Sequence, residues 1–226
     1  MPAIFETAYP RLPSSLSADE IKRLYRPTRK EKTWIHQRRV GITLTLETLV
    51  FLKCFRRLGY VPRPSDIPQK IISTVALSID LKEPTGPFKI PQRSYSRIKH
   101  SVREYCAVKS FDINRDGEWL LKFAYDMATV KEGTVDVINA MLEILIKESF
   151  ELPAFSTLER LAHKARASAL DHLFASVTSD LTPSACRKLD SLLVLKSDDG
   201  LTLWHTLKKE PAKPTTKTTA TYIWHT

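Results

Sequence analysis

At 226 residues and 25.8 kDa the chain is long enough to bury a substantial core, as one large or two small domains. Its formal net charge of +10 is unevenly divided: residues 1–109 hold 21 Lys and Arg against 9 Asp and Glu, residues 110–226 hold 14 against 16. The basic half points to a polyanionic partner, three well-separated cysteines argue against a disulfide framework or a zinc site, and no apolar run approaches the ~18 residues of a membrane span.

The chain opens Met1-Pro2-Ala3-Ile4-Phe5-Glu6, with no basic region followed by an apolar stretch, so a secretory signal is not expected and a cytoplasmic, nucleoid-associated location is. After Pro10 and Pro13, Ser17-Ala18-Asp19-Glu20 predicts a capping box with Leu16 and Ile21 as a hydrophobic staple, opening a short helix to about Tyr25. Pro27 ends it, and a basic segment runs from Arg26 to Arg39 with Trp34 and Ile35 as anchors. From Ile42 to Leu58 the sequence is apolar over so wide a face that a central core helix is predicted, stopped by Gly59. A helix at about 65–79 follows, then a loop containing Pro84, Gly86, Pro87 and Pro91.

The helix predicted at 94–108 has two distinct faces. Tyr95, Ile98, Val102, Tyr105 and Cys106 recur at core spacing, whereas Arg93, Arg97, His100 and Arg103 fall along another face with Lys99 beside them and only Glu104 in opposition. This is the sharpest basic stripe in the chain, suited to phosphate or groove contact.

Residues 110–118 read as a link, followed by a helix at 118–128 and then a helix pair. Val135, Ile138, Met141, Leu142 and Leu145 mark the first helix of that pair, and Glu151-Leu152-Pro153-Ala154-Phe155 breaks it. Ser156 and Glu159 are placed to form a capping box for the second, with Leu158, Leu161, Ala162, Ala165, Ala169 and Leu173 inward. Thr157, Arg160, His163, Lys164 and Arg166 remain for the outside, the pattern of a helix-turn-helix, although any two helices joined by a Pro-containing turn look similar. A last helix is predicted at 183–194, a turn at Ser197-Asp198-Asp199-Gly200, and a threonine-rich tail from Pro211 with no expected structure.

No catalytic constellation emerges. Asp112, Asn114, Asp116 and Gly117 match the first half of a calcium loop, but Phe123 stands where the bidentate acid belongs. The six histidines have no metal-binding helical spacing, and no glycine-rich phosphate loop occurs.

Four stretches carry a resemblance: Met1-Pro2-Ala3-Ile4-Phe5 with Ala8-Tyr9-Pro10; Phe55-Arg56-Arg57-Leu58-Gly59-Tyr60 before Pro62; Arg103-Glu104-Tyr105; and, above all, Glu151-Leu152-Pro153-Ala154-Phe155-Ser156-Thr157-Leu158-Glu159-Arg160-Leu161-Ala162. They resemble the N-terminal region of the large transposases of the Tn-three family, the class II replicative transposons, from residue 1 to about Pro211. The resemblance implies helical domains that recognise terminal inverted repeats, with catalysis by a distant magnesium-binding domain of RNase-H-like fold. Because the chain stops at Thr226, a remnant truncated before that catalytic domain is expected.

The expectation is thus an all-α protein of two helix-turn-helix-type units, 1–110 and 111–210, with a disordered tail at 211–226. It would bind double-stranded DNA at transposon ends without cofactor, metal or catalysis. Arg93, Arg97, Lys99, His100 and Arg103, with Arg56 and Arg57 on the backbone, would serve the first unit; Ser156, Thr157, Arg160, Lys164 and Arg166 would serve the second. Full-length transposase or a second copy is a further candidate partner. The alternatives are a helix-turn-helix regulator of transcription or transposition and a helical protein-interaction module.

Overall fold

Leu49, Val50, Phe51 and Leu52 are consecutive and all completely buried, so the helix that carries them is enclosed on every side. This is α3 (Ile42–Leu58), the centre of the computed structural model, which describes residues 3–13, 15, 17–38, 40–82, 88–194 and 202–208. Around it lie α1 (Ala18–Tyr25), α2 (Arg29–Gln37), α4 (Gln69–Ser78) and α5 (Gln92–Cys106). Their buried side chains include Ile21, Tyr25, Ile35, Ile71, Ile72, Val75, Ile98 and Val102, which join α3 in a first core. Truncating any of the larger ones to alanine should cost about 2–5 kcal/mol.

A second core is built from α6 (Ile113–Ala128), α7 (Thr134–Lys147) and the N-terminal part of α8 (Phe155–Ser179). It contains Leu120, Ala124, Val137, Ile138, Met141, Leu145, Leu158, Leu161, Ala162 and Ala165, together with Tyr9 from the extended N-terminal segment and Leu152. Tyr60 packs against both cores. The two belong to one compact unit, Met1–Ala169; the other unit, Leu170–Thr226, holds the end of α8, α9 (Pro183–Leu192) and α10 (Leu203–Leu207). The fold class is all-α: among the described residues every regular element is helical, and the extended segments meet in an isolated parallel bridge between Lys109 and Phe150.

The local signals explain most helix ends. Ser17 accepts from the Glu20 amide while Glu20 accepts from the Ser17 amide at 2.9 Å, the reciprocal cap expected there. Leu16, the proposed staple partner, lies outside the described residues, as do Pro84, Gly86, Pro87, the 197–200 turn and the tail from Pro211. Gly59 ends α3 in the left-handed region at φ 71°, its amide bonded to the Phe55 carbonyl.

Several expectations need correcting. The basic segment 26–39 contains a helix, α2, opened by a second capping box in which Thr28 and Glu31 are reciprocal. The link expected at 110–118 is mostly helix: Asp112 caps α6 by accepting from the Asn114 amide at 2.8 Å, and Asp116 accepts from the Asp112 amide. The half calcium loop is therefore a helix start. Ser156 is not the cap of α8, which begins at Phe155 with Ala154 accepting the first amides. Leu173, expected inward, is 53% exposed.

Candidate nucleic-acid interface

On α5 the 3.6-residue period separates two faces, and packing of Ile98 and Val102 against α3 turns the other outward. Arg93, Arg97 and His100 are exposed on that outward face. Its one acid, Glu104, is met by Arg38, whose guanidinium reaches the Glu104 carboxylate at 2.6 Å and the Ser101 hydroxyl at 2.8 Å. Arg38 holds the Glu104 carboxyl below its ordinary range by hydrogen bond and charge. The guanidinium is itself 5.0 Å from the Trp34 ring centroid, and Trp34 packs on Tyr105. Arg38, absent from the sequence-derived set, thus cancels the acid that opposed the stripe. Nothing in residue spacing marks it, because its partner is 66 residues away.

Lys99 is half-buried at the margin of this face, its ammonium 5.2 Å from the Tyr95 ring centroid. Arg103, also half-buried, reaches Glu151 with its Nε and a terminal nitrogen, both at 2.6 Å. Glu151 is buried; its other oxygen accepts from the Val61 amide at 3.4 Å, and its own amide donates to the Lys109 carbonyl. Arg103 therefore joins α5 to the connection that leads into α8. Arg56 is occupied as well: it pairs at 2.7 Å with Glu31, which is fully buried and also meets Lys53 at 3.3 Å. Arg57 is exposed near Tyr25, whose hydroxyl burial pushes up and Arg57 partly pulls back.

On α8, Leu158, Leu161, Ala162 and Ala165 are buried, so Ser156, Arg160 and Lys164, spaced by four, share the opposite exposed face with His163. Thr157 and Arg166 fall on opposite margins of it. Thr157 is half-buried, and one terminal nitrogen of Arg166 is enclosed without a hydrogen-bond partner among the described residues. The structure thus groups Arg93, Arg97 and His100 on one helix and Ser156, Arg160 and Lys164 on another. It gives Arg56 and Arg103 carboxylate partners.

The connection between α7 and α8 is seven residues, longer than the three or four of a tight helix-turn-helix. It is also stitched to the first core's side of the unit. The Lys109 amide donates to the Ser149 carbonyl, and the Leu152 amide to the Gly59 carbonyl, each at 2.8 Å. A cleft of about 750 Å³ opens beside this junction, lined by residues of α5, the Tyr60–Arg63 segment and the start of α8. No group of three or more His, Cys, Asp or Glu side chains able to hold a metal occurs among the described residues. No helix among them is long and apolar enough to cross a membrane.

Residues 3–165 match the family described as a domain of unknown function, DUF4158. Across 204 residues the chain is 28% identical to the transposase for transposon Tn501 of Pseudomonas aeruginosa, covering 89% of this chain and 20% of that protein. It is 27% identical over 157 residues to the transposase for transposon Tn1546 of Enterococcus faecium, covering 67% and 16%. Over 207 residues it is 26% identical to the transposase for transposon Tn3926 of Escherichia coli, covering 88% and 20%. The chain spans about a fifth of the length of these relatives. It belongs to the DUF4158 family and is similar to the N-terminal part of Tn3-family transposases.

Proposed function

We propose that this chain serves transposition as a DNA-binding module that engages the terminal inverted repeats of a transposon and performs no strand chemistry itself. The observation that carries this reading is the outward face of α5: Arg38 neutralises Glu104, so Arg93 and Arg97 present positive charge, with the exposed His100 imidazole beside them, without a carboxylate on their own helix to cancel it. Positive side chains placed this way neutralise phosphates and release counterions. The exposed Ser156, Arg160 and Lys164 offer a second helix face, with short hydroxyl and long guanidinium groups suited to phosphate and guanine edges. The transposase relatives supply the biological setting.

A gel-shift titration on a family-type terminal repeat, with a scrambled duplex as control, tests this. Specific binding should exceed the control by about a thousandfold or more, and both affinities should fall steeply with salt. Equal affinity for the two duplexes removes end recognition; no affinity for either removes DNA binding.

A second reading, a helical protein-interaction module, is favoured by a separate observation in the unit beyond Ala169. There Leu170, Leu173, Phe174 and Val177 lie along one stripe of α8, each 43–62% exposed. Association with a protein partner in the absence of DNA affinity would favour it.

A further inference from the structure

The cleft beside α5 is not explained by duplex contacts on outward helix faces. Its lining includes five aromatic rings, those of Tyr9, Tyr60, Tyr95, Phe111 and Phe155. Tyr9 stacks on Tyr60 with ring centroids 5.4 Å apart and meets Phe155 edge-on at 5.6 Å, so three rings form a continuous wall. Each tyrosine is tethered through its hydroxyl. Tyr9 donates to the Pro153 carbonyl at 2.9 Å, Tyr60 to Pro10 at 3.3 Å and Tyr95 to Pro62 at 3.1 Å. The rings are thereby held with their faces set in advance, which lowers the ordering cost of a planar ligand.

Charge at the cleft complements this wall. Arg63 and Lys99 contribute to the lining together with Arg103, Asp66 and Glu151, and the Arg103 to Glu151 pair is internally neutral. Arg63 is exposed, and Lys99 stands over Tyr95. Aromatic faces with flanking cations are the chemistry that takes a nucleotide out of a stack: the base lies against rings while its phosphate meets Lys or Arg. The volume of about 750 Å³ lies within the range of small-ligand sites, so this open cleft has room for a single nucleotide. The cleft is lined by Tyr95, Lys99 and Arg103 of α5 and by Phe155 at the start of α8, the two helices that carry the exposed cations.

We infer that this cleft binds one unpaired nucleotide of a DNA strand, its base against the half-buried Tyr60 ring, which the buried Tyr9 backs, and its phosphate near Arg63 and Lys99. The inference rests on the DNA-binding reading, and three probes keep the two separable: a fully paired terminal-repeat duplex, the same duplex with one extrahelical 2-aminopurine, and a short single strand carrying 2-aminopurine. The intact chain should bind the bulged duplex about tenfold more tightly than the paired one, the size of one aromatic stacking contact, and should quench the 2-aminopurine fluorescence. Tyr60→Leu should abolish the tenfold preference and the quenching, and Arg63→Gln should weaken the bulged duplex more than the paired one. Arg63→Gln serves as the variant whose folding is not in question, because Arg63 is exposed.

Equal affinity for bulged and paired duplexes with unquenched fluorescence overturns the inference, as does quenching that survives both substitutions. Binding and quenching of the single strand without paired-duplex affinity would uphold the cleft and refute duplex-end recognition. Loss of all three would refute both.

Discussion

Replacing Glu151 tests whether the two cores act as one body. In the wild-type chain its carboxylate is buried, bonded to Arg103 at 2.6 Å and to the Val61 amide at 3.4 Å. Glu151→Ala removes both bonds and leaves the Arg103 guanidinium, 26% exposed, without its partner. Breaking a fully buried pair costs about 3–5 kcal/mol, and a bond to a charged group is worth ~1.5–3. Because Arg103 regains some water, the expected loss is about 2–4 kcal/mol. With ~2–4 °C per kcal/mol for a unit of this size, the thermal midpoint should drop by roughly 5–15 °C. Urea melts followed by tryptophan emission suit the measurement, because Trp34 packs on the first core and Trp119 lies 5.5 Å from Phe150 beside the second. A double-mutant cycle with Arg103→Ala should return a coupling of at least ~1 kcal/mol. Additive single effects, or a Glu151→Ala loss below ~0.5 kcal/mol, would refute the clamp and return Arg103 to the solvent-facing set.

Gly59→Ala should destabilise by about 1–3 kcal/mol in the same melts, since φ is 71° and an added Cβ would lie 3.0 Å from the Leu152 side chain. Asp116 has its carboxyl held below the ordinary range chiefly by Arg115, with the Asp112 amide assisting. A depressed folded-state value contributes stability that is present above the unfolded value of about 3.9 and is lost as pH falls through the folded one. Asp116→Asn should therefore flatten the decline of urea midpoint below about pH 4, and an unchanged acid limb would count against the assignment. Burial pushes the Cys54 thiol up to about 12, so iodoacetamide at pH 8 should modify it only after denaturation, as read by mass spectrometry. For DNA, Arg160→Ala should relax preference at one base step by about 1–3 kcal/mol, whereas Arg97→Ala should weaken all duplexes alike and lower the salt slope by about 1. Gel shifts showing wild-type affinity for either variant would remove that residue from the interface.

Much of the fold was legible because its signals are local. The capping box at Ser17 and Glu20, the glycine stop at Gly59 and the broad apolar face of α3 each act within a few residues, and the helices follow. The equivalent box at Thr28 and Glu31 is just as local but is masked by flanking cations, since Glu31 looks like a surface charge until Lys53 and Arg56 surround it. At Asp112 the same residues suit an ion or a helix start; the sequence of α6 after them made it a cap.

What the sequence determined by itself was the all-α class, the helix periods and the two cationic stripes, because side-chain polarity repeated at 3.6 residues decides which face of a helix seeks water. Which of those cations remain free was decided only by tertiary structure. Arg38 reaches Glu104 across 66 positions, Arg103 reaches Glu151 across 48 and Arg56 reaches Glu31 across 25. Coulombic pairing depends on distance in space, and no periodicity along a chain encodes which distant carboxylate will arrive beside a given guanidinium.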